Sequence, residues 1–141
     1  MTDSLVISSV KSPLTLTVSE VKGESFLVSI SSPFPSARRG VYSYPDPRGI
    51  SDLFQQIASN ERPWEGLVSW ESLEGEFSLG ASCSSLGPVT FAIRLRQFNG
   101  DEDWDVKAEL VSELGQLPKI ATDARRLFEG ISDASSADLG I

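Results

Sequence analysis

The chain has 141 residues, 40% of them hydrophobic and 23% charged, a balance that fits one globular core and excludes a disordered chain. Twelve Lys and Arg stand against twenty Asp and Glu, a formal charge of −8 with a pI near 4.5. That field opposes nucleic-acid binding, which needs clustered cations to displace condensed counterions, and the basic residues here come only in pairs: Arg38 with Arg39, Arg94 with Arg96, Arg125 with Arg126.

Scarce residue types narrow the chemistry further. Histidine is absent, which removes Ser-His-Asp and Cys-His catalysis, histidine general bases and histidine zinc sites. The one cysteine, Cys83, cannot form an intramolecular disulfide, and alone it supports neither a thiolate zinc site nor an iron–sulfur cluster. Met1-Thr2-Asp3-Ser4 does not open a secretory signal, and no apolar run approaches the ~18 residues of a membrane span. The expectation is a cytoplasmic protein of one α+β domain over residues 1–131, with a disordered tail over 132–141. It has no membrane or nucleic-acid partner, no metal and no cofactor.

Along the chain, Leu5-Val6-Ile7 is a short strand candidate. Leu14, Leu16 and Val18 alternate with Thr15, Thr17 and Ser19, and Phe26, Val28 and Ile30 repeat the pattern after Lys22-Gly23-Glu24, so residues 14–31 read as a hairpin. Pro33 and Pro35 interrupt the ladder, and Val41-Tyr42-Ser43-Tyr44 is a fourth strand. Asp46-Pro47 then reads as an N-cap with proline at the first helical position. Ile50, Leu53, Phe54 and Ile57 follow at the spacing of an amphipathic helix over 48–60, closed by Asn60 and Pro63.

Residues 64–75 show no period. Alternation returns with Phe77, Leu79, Ala81 and Cys83 facing inward opposite Glu76, Ser78, Gly80 and Ser82. Leu86-Gly87-Pro88 makes a turn into Val89, Phe91, Ile93 and Leu95, and Asn99-Gly100 makes another into Trp104, Val106, Ala108 and Leu110. Pro118 opens a second helix over 118–129, with Ile120, Ala124, Leu127, Phe128 and Ile131 on one stripe. The predicted order is ββββ-α-βββ-α: a mainly antiparallel sheet of about seven strands with two helices, because hairpins abound and βαβ crossovers are lacking. No internal repeat is visible.

Glu65, Glu71, Glu74 and Glu76 lie near Trp64 and Trp70, and paired carboxylates beside a desolvating tryptophan would suit glycoside hydrolysis. Their spacing fixes no pair, however, and a solvated acidic loop explains them more simply. Asp101, Asp103 and Asp105 imitate the first ligands of a calcium loop, but Val106 replaces the required glycine and Ser112 the closing glutamate, so they are placed on a hairpin tip and a wet strand face. Trp104 and Cys83 are assigned to the core by alternation. Arg94 and Arg96 are expected to pair across to the strand of Lys107 and Glu109. Trp64 and Trp70 either pin the irregular segment to the body or face a partner.

The segment Trp64-Glu65-Gly66 through Trp70-Glu71-Ser72-Leu73-Glu74-Gly75-Glu76-Phe77-Ser78-Leu79, followed by Gly87-Pro88-Val89-Thr90-Phe91, resembles a small bacterial family of single-domain proteins of unknown function. The likeness extends over most of residues 40–130 and implies no catalytic residue. In size, acidity and style the chain also resembles immunity proteins of bacterial toxin systems, by analogy alone. The leading expectation is a non-enzymatic binding protein that meets a basic protein partner through Trp64, Glu65, Trp70, Glu71, Glu74, Asp101 and Asp103. The alternatives are a small-molecule module built on Trp64 or Trp70 and, behind it, a carboxylate hydrolase.

Overall fold

The computed structural model describes residues 4–33, 36–44, 46–60, 62–98 and 100–139, with side chains as far as Glu129. Alternation in the first third becomes four antiparallel strands: β1 Ser4–Ser8, β2 Thr15–Lys22, β3 Ser25–Ser31 and β4 Ala37–Tyr42. They lie side by side in chain order. After α1, Gly49–Ala58, a second antiparallel sheet repeats the arrangement with β5 Val68–Glu71, β6 Phe77–Cys83, β7 Pro88–Gln97 and β8 Trp104–Glu113. A short 3-10 turn, Leu114–Gln116, leads into α2, Leu117–Leu139.

The α+β class and its antiparallel pairing hold, but the described residues form eight strands in two sheets, not about seven in one. The additional strand is β5, inside the stretch that lacked a period. Four residues are too few to establish alternation, and its inward side chains, Val68 and Trp70, are only half-buried. The fourth strand also sits earlier than predicted, at Ala37–Tyr42 rather than over 41–44.

The helices follow their apolar stripes. Ile50, Leu53, Phe54 and Ile57 of α1 are buried, as are Leu117, Ile120, Ala121, Ala124, Leu127 and Phe128 of α2. The predicted N-cap is displaced: Asp46 and Pro47 form a turn in which the Asp46 carbonyl accepts the Gly49 N–H at 3.1 Å, and the cap position is Arg48, which makes no side-chain capping bond. α2 runs on past the expected stop at Gly130. The expected disordered tail over 132–141 falls beyond the last described side chain.

One hydrophobic cluster takes residues from both sheets and both helices. Phe26 of β3 is its junction, with ring centroids 5.7 Å from Phe128 of α2, 6.3 Å from Phe77 of β6 and 6.4 Å from Trp70 of β5. Phe54 of α1 lies 5.8 Å from Phe91 of β7. Helix α1 therefore packs against the second sheet and α2 against the first, so neither half closes its core alone. Phe91 and Ile93 are buried as expected. Trp104, predicted to be core, is half-buried, because β8 is an edge strand that β4 covers incompletely. A cleft of about 390 Å³ opens there between Ala37, Arg38, Trp104 and Val106.

Candidate functional site

β4 organises one end of the second sheet. Its first residues line the cleft beside Trp104 and Val106 of β8, the Arg39 guanidinium donates to the Arg96 carbonyl of β7 at 2.7 Å, and the Tyr42 N–H donates to Glu76 Oε2, next to β6, at 3.2 Å. Successive residues of β4 thus meet β8, β7 and β6 in turn, so the strand runs across that end of the sheet. At the opposite end the Val10 N–H donates to the Val111 carbonyl at 2.8 Å and the Val111 N–H to Ser9 Oγ at 3.1 Å, which covers the open edge of β8.

Glu76, expected on the wet face, is 2% exposed, and the reason is β4: a strand more than thirty residues earlier closes over that face. Its carboxylate accepts from the Tyr42 N–H and the Ser72 hydroxyl, and Ser72 Oγ accepts the Phe77 N–H at 3.1 Å. The Ser72 carbonyl accepts from the Gly75 N–H at 2.9 Å, and Gly75 sits at φ 77°, the left-handed region that favours glycine. The turn Ser72–Gly75 is thereby fixed from beneath, leaving Leu73 (65% exposed) and Glu74 facing outward.

Beside that turn stand Tyr42 and Tyr44. Residues two apart in extended chain project to the same side, so Ser43 is buried between them while the two rings stack outside, centroids 5.9 Å apart and planes at 20°. They are 44% and 49% exposed. The hairpin tip of β2 and β3 adjoins them, since the Ser43 N–H donates to the Glu24 carbonyl at 2.7 Å. Desolvation, then the nearby charges of Glu24, Tyr44 and Glu74, raise the Tyr42 hydroxyl above its ordinary value. The β7–β8 tip, with Asp101, Glu102 and Asp103 all exposed, closes the same end: Arg96 reaches back to the Gly75 carbonyl at 2.8 Å and lies 5.2 Å over the Phe98 ring. Among the described residues, no cation comes within ion-pair distance of Glu24, Glu74, Asp101, Glu102 or Asp103.

The sequence candidates divide. Glu74, Asp101 and Asp103 share this end of the second sheet. Trp64 and Glu65 sit at the other, where with Pro63, Gly66, Ser82 and Cys83 they line a cleft of about 430 Å³. The ends are roughly 25 Å apart, the span of Val89 to Gln97 along β7 at ~3.3 Å per residue. The Trp64 indole N–H is turned inward and finds no acceptor among the described residues. Cys83, assigned to the core, is half-buried at the cleft wall, because β6 ends there and its neighbours Ser84 and Ser85 turn outward.

Trp70 is not free for a partner surface: it packs on Phe26 and Phe77, and its indole nitrogen lies against Gly49, where a β-carbon would collide with it. Glu71 lies on the outer face of the second sheet, in a cross-strand row with Ser78, Arg94 and Lys107. There Arg94 forms a bidentate bond to Asp105, 3.0 and 2.6 Å, on the strand expected to supply its partner. That bond holds the Asp105 carboxyl below its usual range and raises Arg94. Gly80, predicted wet, is buried because Leu67 folds over it.

Of the four glutamates near the tryptophans, Glu65 thus stands a strand's length from the other three, and Glu76 is buried beneath its turn. Among the described residues, no group of three His, Cys, Asp or Glu side chains is gathered as a metal site would require. The exposed tyrosine pair was missed, although two tyrosines at i and i+2 beside a small residue were the signal for it. No helix among the described residues is long and apolar enough to cross a membrane. No curated protein and no solved structure matches the chain. A family model matches residues 9–130, beginning well before the tryptophan segment that carried the resemblance, and the chain belongs to that family of unknown function, DUF6228.

Proposed function

We propose that this is a non-enzymatic cytoplasmic binding protein, immunity-like in size and acidity, that engages a basic protein partner through the acidic end of its second sheet. The observation that carries the reading is the grouping there of Glu74, Asp101, Glu102 and Asp103, exposed and without an internal cation among the described residues, with the Glu74 turn held from beneath by Glu76 and β4. Unpaired acids on a rigid support form a field that steers a cationic partner without a prior cost in broken ion pairs. The test is capture of partners from the source cell followed by binding kinetics. Association should slow as salt rises, and Asp101→Asn with Asp103→Asn should slow it while leaving dissociation nearly unchanged. A partner that is itself acidic and binds independently of salt would overturn the proposal. Absence of any protein partner, with a small molecule seated in the Trp64 cleft, would transfer the function to that cleft.

A further inference from the structure

The stacked tyrosines call for a more specific account than general acidity. An aromatic face carries a negative quadrupole, and the stacked pair Tyr42 and Tyr44 is close to half exposed, 44% and 49%. The one arginine–aromatic stack among the described residues is Arg96 on Phe98, so neither tyrosine is capped by a cation of its own chain. Glu24 reaches the pair from the β2–β3 tip and Glu74 from the β5–β6 turn, each near enough for its charge to act on the Tyr42 hydroxyl. Leu73, on the same turn as Glu74, adds apolar area that a purely electrostatic contact would not need.

We infer that Tyr42 and Tyr44 form the docking platform for an arginine side chain of the protein partner, its guanidinium lying on the tyrosine faces and bonded to Glu24 or Glu74 at the rim. Arginine fits better than lysine because its planar guanidinium stacks on a ring while its edge donors remain free for carboxylates. The inference rests on the binding reading above and adds the residue type recognised and the place where it is recognised.

The test uses the full chain and two probes, N-acetylarginine amide and its neutral isostere N-acetylcitrulline amide, followed by NMR of the tyrosine ring protons. The expected result is a saturable shift of Tyr42 and Tyr44 with the arginine probe, lost at about 0.5 M salt, and little response to citrulline. Tyr44→Ala and Glu74→Gln should each weaken binding roughly 2–5-fold. Equal response to citrulline, or unchanged binding in Tyr44→Ala with its fold verified by circular dichroism, would overturn the inference. So would a dimer of the free chain that Tyr44→Ala dissolves, since a second copy would then be the occupant. A partner that needs Asp101 and Asp103 but not Tyr44 would remove this inference and leave the binding proposal standing. Arginine binding at the tyrosines with no partner dependent on the acids would do the reverse.

Discussion

The two halves of the chain share one plan and differ in charge. Each is a four-stranded antiparallel meander in chain order followed by a helix. Residues 1–63 carry six acidic and six basic side chains and are neutral, whereas residues 64–141 carry fourteen against six, the whole formal −8. The outer faces differ likewise. On the first sheet Ser4, Ser8, Thr15, Thr17, Ser29 and Ser31 put hydroxyls on the outer face, with Val6 among them and the exposed Arg38–Glu20 pair at the β4 side; on the second, Glu71, Arg94, Arg96, Asp105, Lys107 and Glu109 make a densely charged one. The same backbone plan thus serves two tasks. Inward positions are hydrophobes that join the halves, and the outward positions and turns of the second half carry most of the charge available to a partner, with Glu24 added from the first.

The sharpest way to break this comparison is to ask whether the halves are independent. Phe26→Ala should destabilise the protein by about 3–5 kcal/mol. Denaturant unfolding of that variant should remain one transition by fluorescence and circular dichroism, because Phe26 belongs to the first sheet but packs on β5, β6 and α2. Two separated transitions would mean that the halves are separate folding units. Glu76→Ala comes next. It removes the acceptor of the Tyr42 N–H and the partner of the buried Ser72 hydroxyl, at a cost of about 1–3 kcal/mol by the same measurement. The loss should fall on the junction, with faster amide exchange at Tyr42 than at Val28 in the middle of β3.

Trp104→Ala should cost about 1–2 kcal/mol, clearly less than Phe91→Ala, since only part of the indole area is removed from water. Equal losses would place Trp104 in the core after all. The smallest effect concerns pH. Asp105 has its folded pKa depressed by the hydrogen bond to Arg94, so its contribution is present above the ordinary carboxylate range and is lost as pH falls through the depressed value. Asp105→Asn should therefore narrow the gap between melting temperatures measured at neutral and strongly acidic pH. An unchanged gap would show that the pair makes no difference to folding, the usual finding for an exposed ion pair.

How much of this was legible in the sequence depended on the range of the interaction. The β2–β3 hairpin, β6 and β7 were readable because alternation over several residues reports a single buried face, and both helices were readable from their stripes. Features set by distant chain were not. Glu76 alternates with Phe77 as a solvent-facing residue should, and only the crossing of β4 makes its environment dry. Trp104 alternates as a core residue should, but lies on an edge that its cover does not fully reach. In the candidate site, the acids of the tips were visible as exposed charge, while their separation from Trp64 and Glu65 by the length of a strand followed from the register of the second sheet. The repeated ββββα plan left no trace in the sequence, since hydrophobic patterns can match without any residue matching.

The contact of Gly49 with Trp70 also has a spectroscopic consequence. Gly49 begins α1, in the neutral half, and its bare backbone gives the Trp70 indole of the other half a seat that no larger residue would leave. Trp70 emission is consequently a built-in gauge of whether the two halves are docked, readable without an added label once the other two tryptophans are removed. With Trp64 and Trp104 replaced by phenylalanine, a red shift of the remaining emission would register the halves parting even while each sheet kept its hydrogen bonds.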